Sequence, residues 1–221
     1  MLLVHDDQTM AVHDLATGKL IAGTHIPAAD YAPDNPVVAG GRILLPHPGA
    51  SSAEISAYDP VTLKQDWSEP SETAYEMQAC GILVCLSGPA GVRAIDPFTG
   101  DTAWVQRTWH SLTPYGDMIV AYADPDGVEP VGVIDPATGT LRTSLAGWRP
   151  VTGTGTGDRL VLTRATDNGS RTMVAVARPG DPRPRVLDAL PQGTGDCQAA
   201  PSRLVCRTMY GELVVWAYQE E

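Results

Sequence analysis

The chain has 221 residues, 43% of them hydrophobic, with 22 glycines, 19 prolines and a net charge of -11. That length suffices to bury a full core as one domain. The charge, with no basic run, excludes a phosphate-backbone partner, which needs clustered lysine and arginine. The acidity reads as a solubility feature rather than a binding surface. No stretch is long and apolar enough to span a membrane. Short apolar runs punctuated by Gly and Pro read as all-β.

Taken in order, the predicted strands fall into six groups of about forty residues. The first (1–30) holds Leu2–His5, Met10–His13 and Lys19–Ile26, with no inner strand before them. The second (31–70) holds Pro36–Ala39, Arg42–Pro46, Glu54–Tyr58 and Leu63–Trp67. The third (71–108) holds Glu76–Cys80, Ile82–Leu86, Gly91–Ile95 and Thr102–Gln106. The fourth (109–147) holds Ser111–Pro114, Met118–Ala123, Pro130–Ile134 and Thr140–Leu145. The fifth (148–192) holds Pro150–Thr154, Arg159–Arg164, Thr172–Ala177 and Arg185–Leu190. The sixth (193–221) holds Gln198–Ala200, Arg203–Arg207 and Leu213–Tyr218, with no outer strand after them.

A repeated unit sets this period. Its fullest copy is Ala94-Ile95-Asp96-Pro97-Phe98-Thr99-Gly100-Asp101-Thr102-Ala103-Trp104. Earlier copies centre on Asp14, with Thr17 and Gly18, and on Asp59, with Thr62 and Trp67. A later copy has Asp135, Thr138 and Gly139. The anchors Asp14, Asp59, Asp96 and Asp135 lie 45, 37 and 39 residues apart, and Ala177 and Ala217 continue the series at 42 and 40. Each unit reads as strand, tight turn, strand: Asp bonds its own backbone, Pro presets φ and Gly supplies a positive φ. The Trp is an apolar plate suited to packing between neighbouring sheets. Some copies depart from the pattern: Leu63 replaces Gly, while Ala22 and Thr143 replace Trp.

The A-x-D-x-x-T-G-x-x-x-W pattern resembles the repeat of the pyrroloquinoline-quinone-type (PQQ-like) β-propellers, and its period fits one four-stranded blade. The resemblance implies one all-β domain, 1–221, of about six four-stranded antiparallel blades. Either six blades close with two short ones, or the chain is an arc of a seven- or eight-bladed ring; the strand count at the ends favours the arc.

The cysteines form two local pairs, Cys80 with Cys85 and Cys197 with Cys206. Four cysteines allow three connectivities, and local pairing across a first-to-second-strand hairpin is the most economical. Pro201-Ser202 is a good turn for one hairpin; Ile82-Leu83 is a poor one for the other, so a bulge or shifted loop is expected there. Disulfides imply an oxidising compartment. Met1–Asp6 lacks the basic and apolar regions of a signal peptide. Together these point to a segment of a longer exported or membrane-anchored protein.

Other candidates are weaker. Thr152–Asp158 is Gly-rich, but no Lys-Ser/Thr pair and no helix follow, so it reads as an inner strand and turn. His5, His13, His25, His47 and His110 are scattered, and ordinary surface or core roles fit them; His110, beside Trp109, is the one placed to face a central channel. Asp124–Glu129 is acidic without the spacing of an EF-hand. No G-x-S-x-G elbow is present. Asn168-Gly169-Ser170 is a glycosylation triplet, set aside because the composition reads as bacterial.

The functional expectation is a non-enzymatic scaffold or extracytoplasmic sensor module. It would hold a protein or peptide partner on a propeller face, with no cofactor, no metal, no nucleic acid and no direct membrane insertion. One alternative is a quinoprotein dehydrogenase fragment using pyrroloquinoline quinone and calcium; the resemblance implies a vicinal Cys-Cys for such a site, and this chain has none. The other is a cytoplasmic WD-type adaptor, whose G-H and W-D pairs are missing; Asp66-Trp67 runs in reverse order.

Overall fold

The computed structural model describes residues 2–4, 9–26, 36–48, 53–71, 76–153, 158–166 and 168–218. Among the described residues every regular element is a strand, and the strands form six sheets. The chain divides into two compact units, Met1–Thr108 with Pro136–Gly139, and Trp109–Asp135 with Thr140–Glu221.

In the first unit, β1 (Leu2–Val4), β2 (Thr9–His13) and β3 (Leu20–His25) form a three-stranded sheet. A second sheet holds β4 (Val37–Ala39), β5 (Arg42–Pro48), β6 (Ala53–Tyr58) and β7 (Gln65–Pro70). A third holds β8 (Glu76–Cys80), β9 (Leu83–Gly88), β10 (Gly91–Ile95) and β11 (Thr102–Gln106). In each, strands neighbour in chain order and pair antiparallel.

The second unit holds β12 (Ser111–Tyr115), β13 (Met118–Tyr122), β14 (Pro130–Asp135) and β15 (Thr140–Ser144) in one sheet. The next sheet is β16 (Arg149–Pro150), β18 (Leu160–Ala165), β19 (Thr172–Ala177) and β20 (Arg185–Leu190). The last is β17 (Thr152–Gly153), β21 (Gly195–Ala200), β22 (Arg203–Arg207) and β23 (Leu213–Ala217).

Here the structure corrects the sequence reading. The continuous inner strand expected over Pro150–Thr154 is split. Arg149–Pro150 pairs with β18, while Thr152–Gly153 crosses to the last sheet and pairs parallel with Gln198–Ala199. Val151, buried between the two, keeps a bond to the Val161 carbonyl. The cause is local: a Cβ on Gly153 would lie 2.1 Å from the Ala199 carbonyl oxygen, so only glycine admits this approach. The last sheet therefore has four strands, not the three expected. Residues 154–157 of the Gly-rich run lie outside the described residues.

Burial follows position in the sheet. The second strands β9 and β13 are buried along their whole length, as expected for strands packed on both faces. The outer strands β7 and β11 are mostly exposed. Alternation sends neighbouring side chains into different cores. Ile43 and Leu45 join Met10, Ile26, Tyr58 and Leu63, whereas Leu44 joins Ile55, Ala57, Val84 and Ile95.

The repeat unit explains how successive sheets interlock. The Asp59 carboxylate accepts bonds from the Val61 amide (3.0 Å), the Thr62 amide (2.8 Å) and the Thr62 hydroxyl (2.9 Å). Asp14 repeats all three with Ala16 and Thr17, and Asp96 accepts from the Phe98 amide at 2.7 Å. Across each strand pair flanking such a turn, the register shifts one residue before the Trp position, which bulges the outer strand. This sets Trp67 opposite Ala57 and Trp104 opposite Ala94, two fully buried alanines.

Each of these tryptophans then reaches the following repeat turn. The Trp67 indole N–H donates to the Pro97 carbonyl (3.0 Å) and its ring lies over Gly100. The Trp104 indole N–H donates to the Pro136 carbonyl (2.9 Å) and its ring lies over Gly139. The glycine thus serves two ends, since its φ is positive and a Cβ would meet the ring. The turn between first and second strands packs beside it: Gly40 meets Pro97, Gly81 meets Pro136, and the Arg42 guanidinium stacks 4.3 Å above Phe98.

Candidate interaction site

Antiparallel strands joined in chain order place their connections at alternating ends of a sheet. The repeat turns and the first-to-second-strand turns share one end, where they support the packing just described. The second-to-third-strand loops and the links to the following strand group share the opposite end. Among the described residues each unit carries concavities at that end of its own sheets. One, of about 260 Å³, is lined by Ser71, the β9–β10 hairpin tip, Arg93 and Arg107. A second, of about 470 Å³, is lined by Val128, Glu129, Val131, Gly147, Trp148 and Arg149. A third, of about 290 Å³, is lined by Gly193, Asp196, Arg207, Thr208 and Met209.

The 470 Å³ concavity is held by its own turn chemistry. The Asp124 carboxylate accepts bonds from the Val128 amide (2.7 Å) and the Glu129 amide (2.8 Å), which fixes the acidic loop. Asp124 thus has the role of a turn-former. Trp148 is buried, with the Arg164 guanidinium 4.5 Å above its ring. In the same sheet the Tyr115 and Tyr122 hydroxyls pair at 3.1 Å, and burial, aided by that pairing, pushes the Tyr122 phenol well above its ordinary value.

Large apolar side chains are exposed near the third concavity. Met209 (66% exposed) and Tyr210 (83%) lie in the loop before β23, and Leu213 (73%) and Val215 (57%) project from β23 itself. Among the described residues β23 pairs with β22 and ends its sheet, leaving its outer backbone groups without a strand partner. The corresponding strands β6, β10, β14 and β19 each carry an outer strand. An open edge of β-prone apolar residues is a surface on which another chain can pair or pack.

The histidines separate. His47 is buried and its Nε2 lies 2.7 Å from the Ser56 hydroxyl, which donates to Ser68, which in turn donates to Glu54. These are residue types of a base and a nucleophile, but Ser56 is 0% exposed, so the chain serves to satisfy buried polar groups across three strands. His13 Nδ1 lies 3.0 Å from the Gly18 carbonyl at the first repeat turn. His25 is exposed, His110 is half-buried and Trp109 beside it is core. His5 lies outside the described residues. Asn168 closes its own loop through Ser170.

Both cysteine pairs are joined, Cys80 to Cys85 and Cys197 to Cys206. The first hairpin turns at Gly81-Ile82 rather than at Ile82-Leu83. Cys85 consequently pairs in register with Gln78, and Cys80 with Leu83, so this bridge runs diagonally with Cα atoms 5.6 Å apart. Gly81, with φ of +67°, makes that turn. The second hairpin turns at Pro201-Ser202, and a bulge at Asp196-Cys197 brings Cys197 opposite Cys206.

No family model matches the chain, and no curated protein matches it. Solved structures do resemble it. A chain in the crystal structure of the mitotic checkpoint complex aligns with a TM-score of 0.51 at 9% identity, over 99% of this chain and 74% of that one. BamB from Moraxella catarrhalis aligns at 0.45 and 13% identity, over 98% and 81%. The β-propeller domain of Cps50 (Swd1) from Myceliophteria thermophila aligns at 0.45 and 11%, over 98% and 79%. At such identities the likeness concerns fold alone. The chain is all-β and of β-propeller type.

Proposed function

We propose that the chain is a non-enzymatic protein-binding module, a scaffold or sensor domain working outside the cytoplasm. The observation that carries this reading is the exposure of Met209, Tyr210, Leu213 and Val215 beside the edge of β23, which has no strand partner among the described residues. Large exposed side chains beside a free strand edge favour a protein partner, because a partner strand satisfies the backbone groups while the apolar side chains leave water. The two disulfides support the oxidising setting.

The test is site-specific photo-crosslinking in the native host. A crosslinker at Tyr210 is expected to yield a discrete protein adduct. One at Leu15, equally exposed but beside a repeat turn, is expected to yield none. Equal labelling at both positions, or no adduct at Tyr210, contradicts the reading.

A further inference from the structure

The concavity of about 260 Å³ in the first unit has a chemistry that the protein-binding reading does not use. Its tip is built from small residues, Gly88, Ala90 and Gly91, which leave the space open. Gly91 has a φ of +107°, and a Cβ there would stand 2.4 Å from the Gln106 carbonyl oxygen and 2.6 Å from the Arg107 Cα. Glycine at this position therefore lets the end of β11 close over the hairpin and carries Arg107 to the rim. Val105, which is exposed, supplies the apolar wall on the face it shares with Arg93, with Leu86 buried behind it.

Two arginines, Arg93 and Arg107, line this one hollow in a chain of net charge -11. Arg93 is held in place by Glu69, its nitrogen 3.0 Å from the carboxylate oxygen. A guanidinium has five N–H donors, so this contact leaves others to offer. Arg107 is exposed and has no partner among the described residues. With Glu69 cancelling one charge, the hollow keeps one net positive charge beside that apolar wall.

We propose that this hollow binds a single carboxylate carried on a short apolar body. Arg107 supplies the forked donor pair that matches a carboxylate. Arg93 supplies further N–H donors, and Val105, with the small tip residues beside it, takes the carbon chain. The volume lies just under the range of about 300–1,000 Å³ usual for drug-sized ligands, so a fragment of a few carbons fits. Two sources carry this chemistry, a free small carboxylic acid and the C-terminus of a peptide ending in a small branched residue.

Isotope-edited NMR on the whole chain separates them. The probes are isovalerate, acetyl-Gly-Val with a free carboxylate, the same dipeptide as its amide, and inorganic phosphate. Saturable shifts of the Gly88, Ala90 and Gly91 amides by both acids support a general carboxylate site. Shifts by the free-acid dipeptide alone assign the site to a peptide C-terminus. The amide is expected to give no shift, and phosphate a weaker one than the acids. Arg107→Gln, at an exposed position that leaves the fold intact by melting temperature, is expected to weaken binding about tenfold or more, the loss of a charge-assisted pair. Failure of both acids to shift these amides overturns the proposal. So does equal response to the amide, phosphate binding as tight as the acids, or unchanged affinity in Arg107→Gln.

Discussion

Ala22 and Leu63 pack in one buried cluster with Met10, Ile43 and Tyr58, at the position where the next two sheet pairs place Trp against Gly. Small has become large on one side and large small on the other. Leu63 holds a positive φ of 56°, normally glycine's territory, and is only 2% exposed. Its burial offsets a left-handed backbone that costs about 1–2 kcal/mol. Leu63→Gly is expected to lose about 2–4 kcal/mol, a buried leucine less the relieved strain. Ala22→Trp alone is expected to lose about 1–3 kcal/mol by overpacking. The double variant should be less destabilised than the sum, with a coupling of about 1–3 kcal/mol by urea denaturation. Additive losses contradict the exchange.

The glycines of three repeat turns form a graded series. Gly18, Gly100 and Gly139 share φ values of +68°, +80° and +64°. An added Cβ meets nothing within 4 Å at Gly18, the Trp67 ring at 3.3 Å at Gly100 and the Trp104 ring at 2.6 Å at Gly139. Backbone strain is common to all three, so the differences report the ring contact. Alanine is expected to cost about 1–2 kcal/mol at Gly18 from strain alone. Gly100→Ala should cost more, and Gly139→Ala most, by a further 1–3 kcal/mol or so. Equal thermal shifts across the series would remove the ring from the explanation.

The turn carboxylates predict a pH dependence. The Thr17 hydroxyl, then its amide, hold Asp14 below its ordinary value of 3.8. For Asp59 the Thr62 amide leads and the hydroxyl follows. Both groups bind protons less readily folded than unfolded. Their contribution is therefore present above the ordinary carboxylate value and lost as pH falls through the lowered one. Thr17→Val should remove the leading cause and raise Asp14 toward 3.8, and Thr62→Val should raise Asp59 by removing its second cause, with the amide bonds to both carboxylates kept. Carboxyl carbon NMR titration reads both, and unmoved midpoints contradict the assignment.

Burial orders the disulfides by reducibility. Cys80 and Cys85 are both 0% exposed, whereas Cys197 is half-buried. Limited reduction under native conditions followed by alkylation should label Cys197 and Cys206 first. Sequence separations of 5 and 9 residues imply roughly 2–3 kcal/mol from each bridge by loop entropy. Equal labelling of all four cysteines contradicts the ordering.

Much of this architecture was legible because the repeat carries its own physics. Asp, Thr and Gly mark a turn, and alternation marks the strands beside it. The departures from the pattern were harder to read. Ala22, Leu63 and Thr143 look like eroded copies when each repeat is compared with a consensus. Their sense lies between copies: Ala22 answers Leu63, and Thr143, fully buried, donates its hydroxyl to the Asp181 carbonyl in the following turn. A comparison of the Trp position in one copy with the Gly position in the next would have found the first pair. The strand exchange at Val151 depends on tertiary approach, and no local pattern announces it. The hollow bounded by Arg93 and Arg107 likewise arises from a close approach at Gly91, whose sequence setting reads only as a hairpin turn.

The central claim is that Trp67 and Trp104 each seat on the glycine of the following turn. Proton NMR on the native chain tests it most directly. Trp67 and Trp104 indole protons should show cross-peaks to the Gly100 and Gly139 α-protons respectively, and ring currents should move those α-protons upfield. Ordinary glycine shifts with no indole cross-peaks would contradict the account.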